Sequence, residues 1–196
     1  MMAQLQQEKD KLDLAPKKFN MWLFIFTSFM FFAALTSGFI VYSGGSTSRG
    51  IKIILPHAFM YSTGVIILSS VTLFMASRAA KQLQFEKQRL LLWLSALLGI
   101  AFFALQFYGM KIMLVDMAVP FSGNPNASQS FIYVFVVAHL LHIIAGLGLL
   151  FHAISGTYRN IGQARNLFRM EFASIFWHFV DIIWIYLYVF LLLNQY

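Results

Sequence analysis

The chain has 196 residues, 60% of them hydrophobic and only 11% charged, with no cysteine. So few charges cannot cover a water-exposed surface of this size, so the composition is that of an integral membrane protein, and without thiols there are no disulfides, Cys-ligated iron–sulfur clusters or Cys-based zinc or copper sites. The net charge of +7 does not point to nucleic acid, because the basic residues stand at the ends of apolar segments, where they set topology.

In chain order, residues 1–18 (MMAQLQQEKDKLDLAPKK) form a charged arm that reads as a mobile tail or short surface helix ended by Pro16. The first apolar run, Met21 to Tyr42, is too long for a signal-peptide core. No small-x-small cleavage site follows it, so it is expected to stay in the mature protein. Four more runs follow: Leu55 to Ser77, Leu90 to Met110, Phe131 to Ile154 and Phe172 to Leu193. Each meets the length of about 20 helical residues needed to cross a hydrocarbon core. None alternates polar and apolar residues as a barrel strand would. Residues 19–196 are therefore expected to form one all-α membrane domain, a bundle of five transmembrane helices with no internal repeat.

Of the 14 Lys and Arg residues, all but Arg49, Lys52 and Lys111 lie in the N-terminal arm, the second loop and the fourth loop. That bias predicts a cytoplasmic N terminus and, after five crossings, an external C terminus. The longest loop, Lys111 to Ser130, contains Pro120, Gly123, Asn124 and Pro125 and reads as irregular and external. Its Asn126-Ala127-Ser128 fits a glycosylation sequon, a match too short to carry weight.

Ionisable groups inside spanning helices cost at least about 2.5 to 3.5 kcal/mol each near the centre, so each asks for a role. They are few: His139, His142 and His152 in the fourth run, His178 and Asp181 in the fifth, with Glu171 at its mouth. His57, beside Pro56, reads as a solvated end residue. A haem held between two helices needs two histidines on one face of each. His139 and His152 stand about 140° apart around the helix and His142 and His152 about 80°, and no other segment has two. A di-iron site needs more carboxylates than Asp181 supplies. A copper or zinc site from His139, His142 and His178 is conceivable from spacing, without a visible second shell. A proton path would start at Asp181 and find no acidic continuation outward. What remains is packing: Glu171, His178 and Asp181 share one stripe, His139 and His142 another, and the expectation is one interhelical polar cluster. Trp22, Trp93, Trp177 and Trp184 partly match an interfacial belt, and Ala145, Gly146 and Gly148 are expected to permit a close helix approach.

Beyond this, particular stretches carry a resemblance. FWHFVDIIWIYLYVFL, Phe176 to Leu191, resembles the closing helix of subunit III of haem–copper terminal oxidases, whose signature is Trp-His-Phe-Val-Asp followed by Trp and Tyr. MWLFIFTSFMFFA, Met21 to Ala33, is similar to that family's Met-Trp-Leu-Phe helix, FVVAHLLHIIAGL, Phe135 to Leu147, to its His-x-x-His-x-x-x-Gly helix, and LLGIAFFALQ, Leu97 to Gln106, to its Gln-bearing helix. Glu171 falls where the family has a glutamate before its Trp-His. The likeness covers the chain from about Phe19 onward, and five spans match the shorter bacterial form. Two departures stand out: Ser28 and Gly109 occupy positions where the family often has glutamates, so roles of those carboxylates in proton uptake do not carry over.

The resemblance implies a non-catalytic subunit of a cytochrome c oxidase in a bacterial plasma membrane. It implies no haem, copper or other cofactor in this chain, haem and copper in partner subunits, direct packing on subunit I, subunits II and IV in the complex, and bound phospholipid. A larger respiratory supercomplex is compatible with it. It makes His139, His142, Glu171, His178 and Asp181 candidates for lipid contacts or the polar cluster, and Trp177, Phe179, Trp184 and Tyr188 the packing motif. The competing readings are the equivalent subunit of a quinol oxidase, a nitric-oxide-reductase-associated relative and a small membrane transporter or channel.

Overall fold

A computed structural model describes residues 2–45, 55–117, 127–158 and 163–194, with the side chains of 2–15, 45, 127 and 128 excepted. Arg49, Lys52, Pro120 to Asn126 and Arg159 lie outside the described residues, and with them most of the first and third loops and the sequon. The helices are α1 (Met2–Gly45), α2 (His57–Lys81), α3 (Phe85–Lys111), α4 (Ala127–Tyr158) and α5 (Gln163–Leu193). A π-helical turn, Ile112–Asp116, prolongs α3. All five are long and apolar enough to cross a membrane. Each runs past its apolar core into polar sequence, where Lys and Arg can extend their charges toward water.

All five helices outrun the expected apolar stretches at one end or both, α5 by nine residues at its start, and two boundaries turn on prolines. The second helix begins at His57, because Pro56 takes an extended backbone, ψ 138°, and supplies no N–H of its own. α1 carries through Pro16 instead of stopping there. A proline inside a helix forfeits one backbone bond and frees the carbonyl four residues back, here in polar sequence where water can replace it.

Helices α2, α3, α4 and α5 form a closed ring in which α2 touches α3 and α5, and α4 touches α3 and α5; α1 packs outside that ring on α4 and α5. Contacts at one end tie together the N-terminal ends of α1, α3 and α5 and the C-terminal ends of α2 and α4. Lys18 pairs with Glu171, Gln163 Nε2 donates to the Ala80 carbonyl, and Trp93 Nε1 donates to Tyr158 Oη. Lys17, Lys18, Arg78, Lys81, Lys87, Arg89, Arg165 and Arg169 therefore share one end of the bundle. The connection from α2 to α3 is tight: Leu83 N–H bonds the Ala80 carbonyl and Gln84 N–H the Ala79 carbonyl, with Leu83 at φ 59°. This is a Schellman ending, and the left-handed position that usually takes glycine is held here by leucine.

Packing inside the ring centres on Trp177 and Trp184, both essentially unexposed. The Trp177 indole lies against Gly99 of α3 and Gly146 of α4; a methyl at Gly99 would stand 2.6 Å from Trp177 Cη2, and one at Gly146 3.0 Å from Cε3. Glycine at these points lets three helices close on one large ring. Trp184 meets Phe59, Phe102, His139 and Tyr188. Of the four tryptophans read as a belt, Trp22 and Trp93 are exposed near the basic end and Trp177 and Trp184 are interior.

Candidate functional site

The seam between α2 and α5 carries most of the interior polar chemistry. Four α5 side chains, Trp177, His178, Asp181 and Trp184, recur at three and four residue intervals and so share a face. Opposite them α2 offers hydroxyls. Trp177 Nε1 donates to Ser69 Oγ at 3.1 Å, and Trp184 Nε1 to Thr63 Oγ1 at 3.0 Å. His178 Nδ1 and Ser70 Oγ are 2.6 Å apart. Ser69 passes its own hydrogen to the Ser95 carbonyl of α3, and Thr72 Oγ1 bonds Ser95 Oγ at 2.8 Å. Ser62 Oγ accepts from Gln106 Nε2 of α3 at 3.0 Å. Each such contact in a membrane is worth roughly 0.6 to 2 kcal/mol, enough to set register though not to drive folding alone. Asp181 is 3% exposed, yet neither carboxyl oxygen has a hydrogen-bond partner among the described residues.

The histidines of α4 face elsewhere. His142 Nδ1–H donates to the Ala138 carbonyl at 2.8 Å, so Nε2 is the acceptor, and it receives the Ser28 hydroxyl of α1 at 3.2 Å. Thus Ser28 of α1 bonds the His142 ring. His139, fully buried, sits among Phe32, Phe102 and Trp184, with neither ring nitrogen hydrogen-bonded among the described residues. Of the candidate residues, then, the structure brings His178 and Asp181 to α2, His142 to α1, and His139 into an aromatic cage. It does not join them in one hydrogen-bonded cluster. Among the described residues no three His, Asp or Glu side chains come together as a metal site would need.

At the basic end Glu171 is exposed and pairs with Lys18 of α1 at 2.6 Å. Beside that pair an open cleft of about 540 Å³ runs between α1, α4 and α5. Lys17 and Arg169 stand among its lining residues, with Phe24, Leu149, Phe172 and Phe176 forming apolar wall. Apolar walls with two cations suit an amphiphile bearing an anionic head. None of the lipid-contact candidates, His139, His142, Glu171, His178 and Asp181, is among the residues lining this cleft; His152, which the sequence placed in the fourth run without a role, is.

Reasoning from charged residues alone missed the hydroxyls of α2 and the buried amide pair of Gln88 and Asn166. In that pair each amide nitrogen donates to the other's oxygen at 3.3 and 3.2 Å, joining α3 to α5. The signal was present for the hydroxyls: Ser62 and Ser69, and likewise Thr63 and Ser70, are seven residues apart and so lie on one stripe. Phe179 and Tyr188, grouped with the packing tryptophans, are only half-buried.

Comparison with known proteins agrees along nearly the whole chain. The family model described as cytochrome c oxidase subunit III matches residues 14–195. Subunit 3 of the cytochrome bo(3) ubiquinol oxidase of Buchnera aphidicola is 27% identical over 191 residues, 94% of this chain and 90% of the relative. Cytochrome c oxidase subunit 3 of Alkalihalophilus pseudofirmus is 25% identical over 184 residues, 92% and 88%. The bo(3) ubiquinol oxidase subunit 3 of Pseudomonas aeruginosa is 28% identical over 173 residues, 85% and 79%.

Proposed function

This chain belongs to the cytochrome c oxidase subunit III family, and from that premise we propose that it is the non-catalytic membrane subunit of a respiratory cytochrome c oxidase. It is a multi-pass membrane protein and a subunit of a haem–copper oxidase complex. In the proposed role it packs directly on subunit I, with subunits II and IV in the same assembly, in a bacterial plasma membrane. The haem and copper belong to the partners, and this chain supports oxygen reduction and proton transfer without a redox centre of its own. The observation that carries the reading is how its interior polar side chains are used: indoles, imidazoles and amides are spent on neighbouring helices, chiefly through the α2 hydroxyls, which is the chemistry of a scaffold. The basic end faces the cytoplasm by the positive-inside bias.

Phospholipid belongs to this role, and the cleft between α1, α4 and α5 is the place for it, its head at Lys17 and Arg169. The decisive experiment is purification in mild detergent through a tag on this chain. It is expected to travel with a catalytic subunit, with haem bands that follow that subunit. Stoichiometric haem or metal in the isolated chain, or solute flux from it alone in vesicles, would overturn the reading. The paired variant Lys17→Glu with Arg169→Glu is expected to lose co-purifying anionic phospholipid by mass spectrometry; an unchanged lipid content would remove the cleft from the account.

A second reading is favoured by the relatives themselves, which include subunit 3 of both cytochrome c and bo(3) ubiquinol oxidases at similar identity. The donor, cytochrome c or quinol, is read by supplying each to the purified complex and following oxygen uptake.

A further inference from the structure

α1 lies over the seam between α4 and α5 and, among the described residues, packs on neither α2 nor α3. Under that cover the His142 ring has both nitrogens bonded, Nδ1 to its own helix and Nε2 to Ser28 of α1. The seam on the other side of α5, against α2, also carries a histidine but has no covering helix among the described residues. His178 stands there only partly buried. Its Nδ1 is 2.6 Å from Ser70 Oγ. Its Nε2 has no hydrogen-bond partner among the described residues and, unlike the nitrogens of His139, is not enclosed.

The hydroxyls of α2 fix where the His178 hydrogen sits. Ser62, Thr63 and Thr72 return their hydrogens to carbonyls of α2, and Ser69 gives its own to the Ser95 carbonyl of α3. Ser70 makes no such bond among the described residues, so its hydrogen goes to His178 Nδ1. A neutral imidazole that accepts at Nδ1 carries its hydrogen on Nε2, at the open side of the seam. His178 is two turns, about 10 Å along the axis, inward of Glu171 at the basic end, and imidazole lacks the long stem by which lysine reaches back to water. Acyl chains offer no acceptor, and a polar hydrogen left bare in hydrocarbon is costly.

We propose that the outer face of the α2/α5 seam is a docking surface for a membrane-spanning helix of a partner subunit, which accepts a hydrogen bond from His178 Nε2–H. That helix takes the place on α2 and α5 that α1 takes on α4 and α5. It carries a hydroxyl or carbonyl oxygen level with His178, set among apolar side chains. Those side chains cover Ile67 and Phe74 of α2 and Ile182 of α5, all exposed, which flank Ser70 and His178 at three and four residue spacings. The proposal rests on the reading that this chain sits in a larger oxidase complex, and adds which of its faces is turned to a partner.

The test is photocrosslinking in the complex recovered in mild detergent through a tag on this chain. A benzophenone amino acid is placed at Ile182 and, in a separate preparation, at Leu141, which is exposed on α4 across the ring from α2. Ile182 is expected to give an adduct with another subunit of the complex, in larger yield than Leu141. His178→Phe, which keeps a ring and loses the N–H, is expected to lower the partner recovered per chain by about three- to thirty-fold, the range of one hydrogen bond between membrane helices. His178→Gln, whose amide restores a donor, and Ser70→Ala, which leaves Nε2–H in place, are expected to retain the partner. Those two variants separate the outward bond from a defect in the seam. Adducts at Ile182 to lipid alone, or to a second copy of this chain, in a complex that still holds its partner overturn the proposal. So does a partner yield at Ile182 no larger than at Leu141, or unchanged recovery with His178→Phe. An unaltered chain that brings down no other polypeptide overturns the complex itself, and this proposal with it.

Discussion

Gly99, Gly146 and Gly148 look alike in the sequence, yet only the first two meet Trp177; a methyl on Gly148 would touch nothing within 4 Å. Gly99→Ala is therefore expected to lower stability by about 1 to 3 kcal/mol through overpacking, and Gly148→Ala to stay within about 0.5 kcal/mol, both read as thermal midpoints in detergent. Leu83 presents the opposite case. At φ 59° it holds a conformation that costs an L-residue roughly 1 to 2 kcal/mol, so Leu83→Gly is expected to raise stability by up to about 1 kcal/mol, read as a higher midpoint, after the entropy glycine brings to the unfolded chain. Leu83→Ala keeps the strain and is expected to gain nothing. The Ser28 hydroxyl, bonded to His142 Nε2, is another site where identity and partner separate: the serine was legible as a departure from a family pattern, its histidine partner only from coordinates.

Among the elements, α2 has an inconspicuous sequence, yet its hydroxyls bind both of the helices it touches. Its hydroxyls serve α3 through Ser62, Ser69 and Thr72 and α5 through Thr63, Ser69 and Ser70. A double-mutant cycle of Ser69→Ala with Trp177→Phe is expected to give a coupling of about 0.6 to 2 kcal/mol; additivity would mean that the indole N–H adds nothing beyond its packing. The Lys18–Glu171 pair between α1 and α5 belongs to another regime, since both side chains are about half exposed. Lys18→Gln is expected to change stability by less than about 1 kcal/mol, and by still less at high salt. The sequence placed Glu171 at the mouth of the fifth helix and toward His178 on the same stripe; α5 begins at Gln163, so Glu171 lies two turns inside the helix. Its exposed carboxylate is free to turn to a cation on a neighbouring helix, and α1 supplies Lys18.

For the whole molecule, the ring of α2 to α5 with α1 added outside predicts unequal local stability. The spanning window of α1 is 22% buried against 44% for α5. Backbone amides of α1 are accordingly expected to exchange with deuterium faster than those of α5 in the detergent-solubilised chain. Equal protection would mean that α1 is held by more than its contacts to α4 and α5. The exposed side of α1, with Trp22, Phe26, Phe29 and Met30 outward, is left to lipid or to a neighbouring subunit.

The number and order of the helices were set by the sequence alone, because a hydrocarbon core accepts a backbone only when its hydrogen bonds close within the segment, and composition suffices to mark such segments; how far each helix runs beyond its apolar stretch was not. The gathering of positive charge at one end follows from alternation and needs no coordinates. Which polar side chain meets which was decided only by the tertiary structure. A helix stripe shows which residues face the same way, but the rotation of one helix against another depends on how Trp177 fits between two glycines and on which hydroxyls come opposite the indoles. That packing turned His178 and Asp181 toward α2 and left His142 to α1.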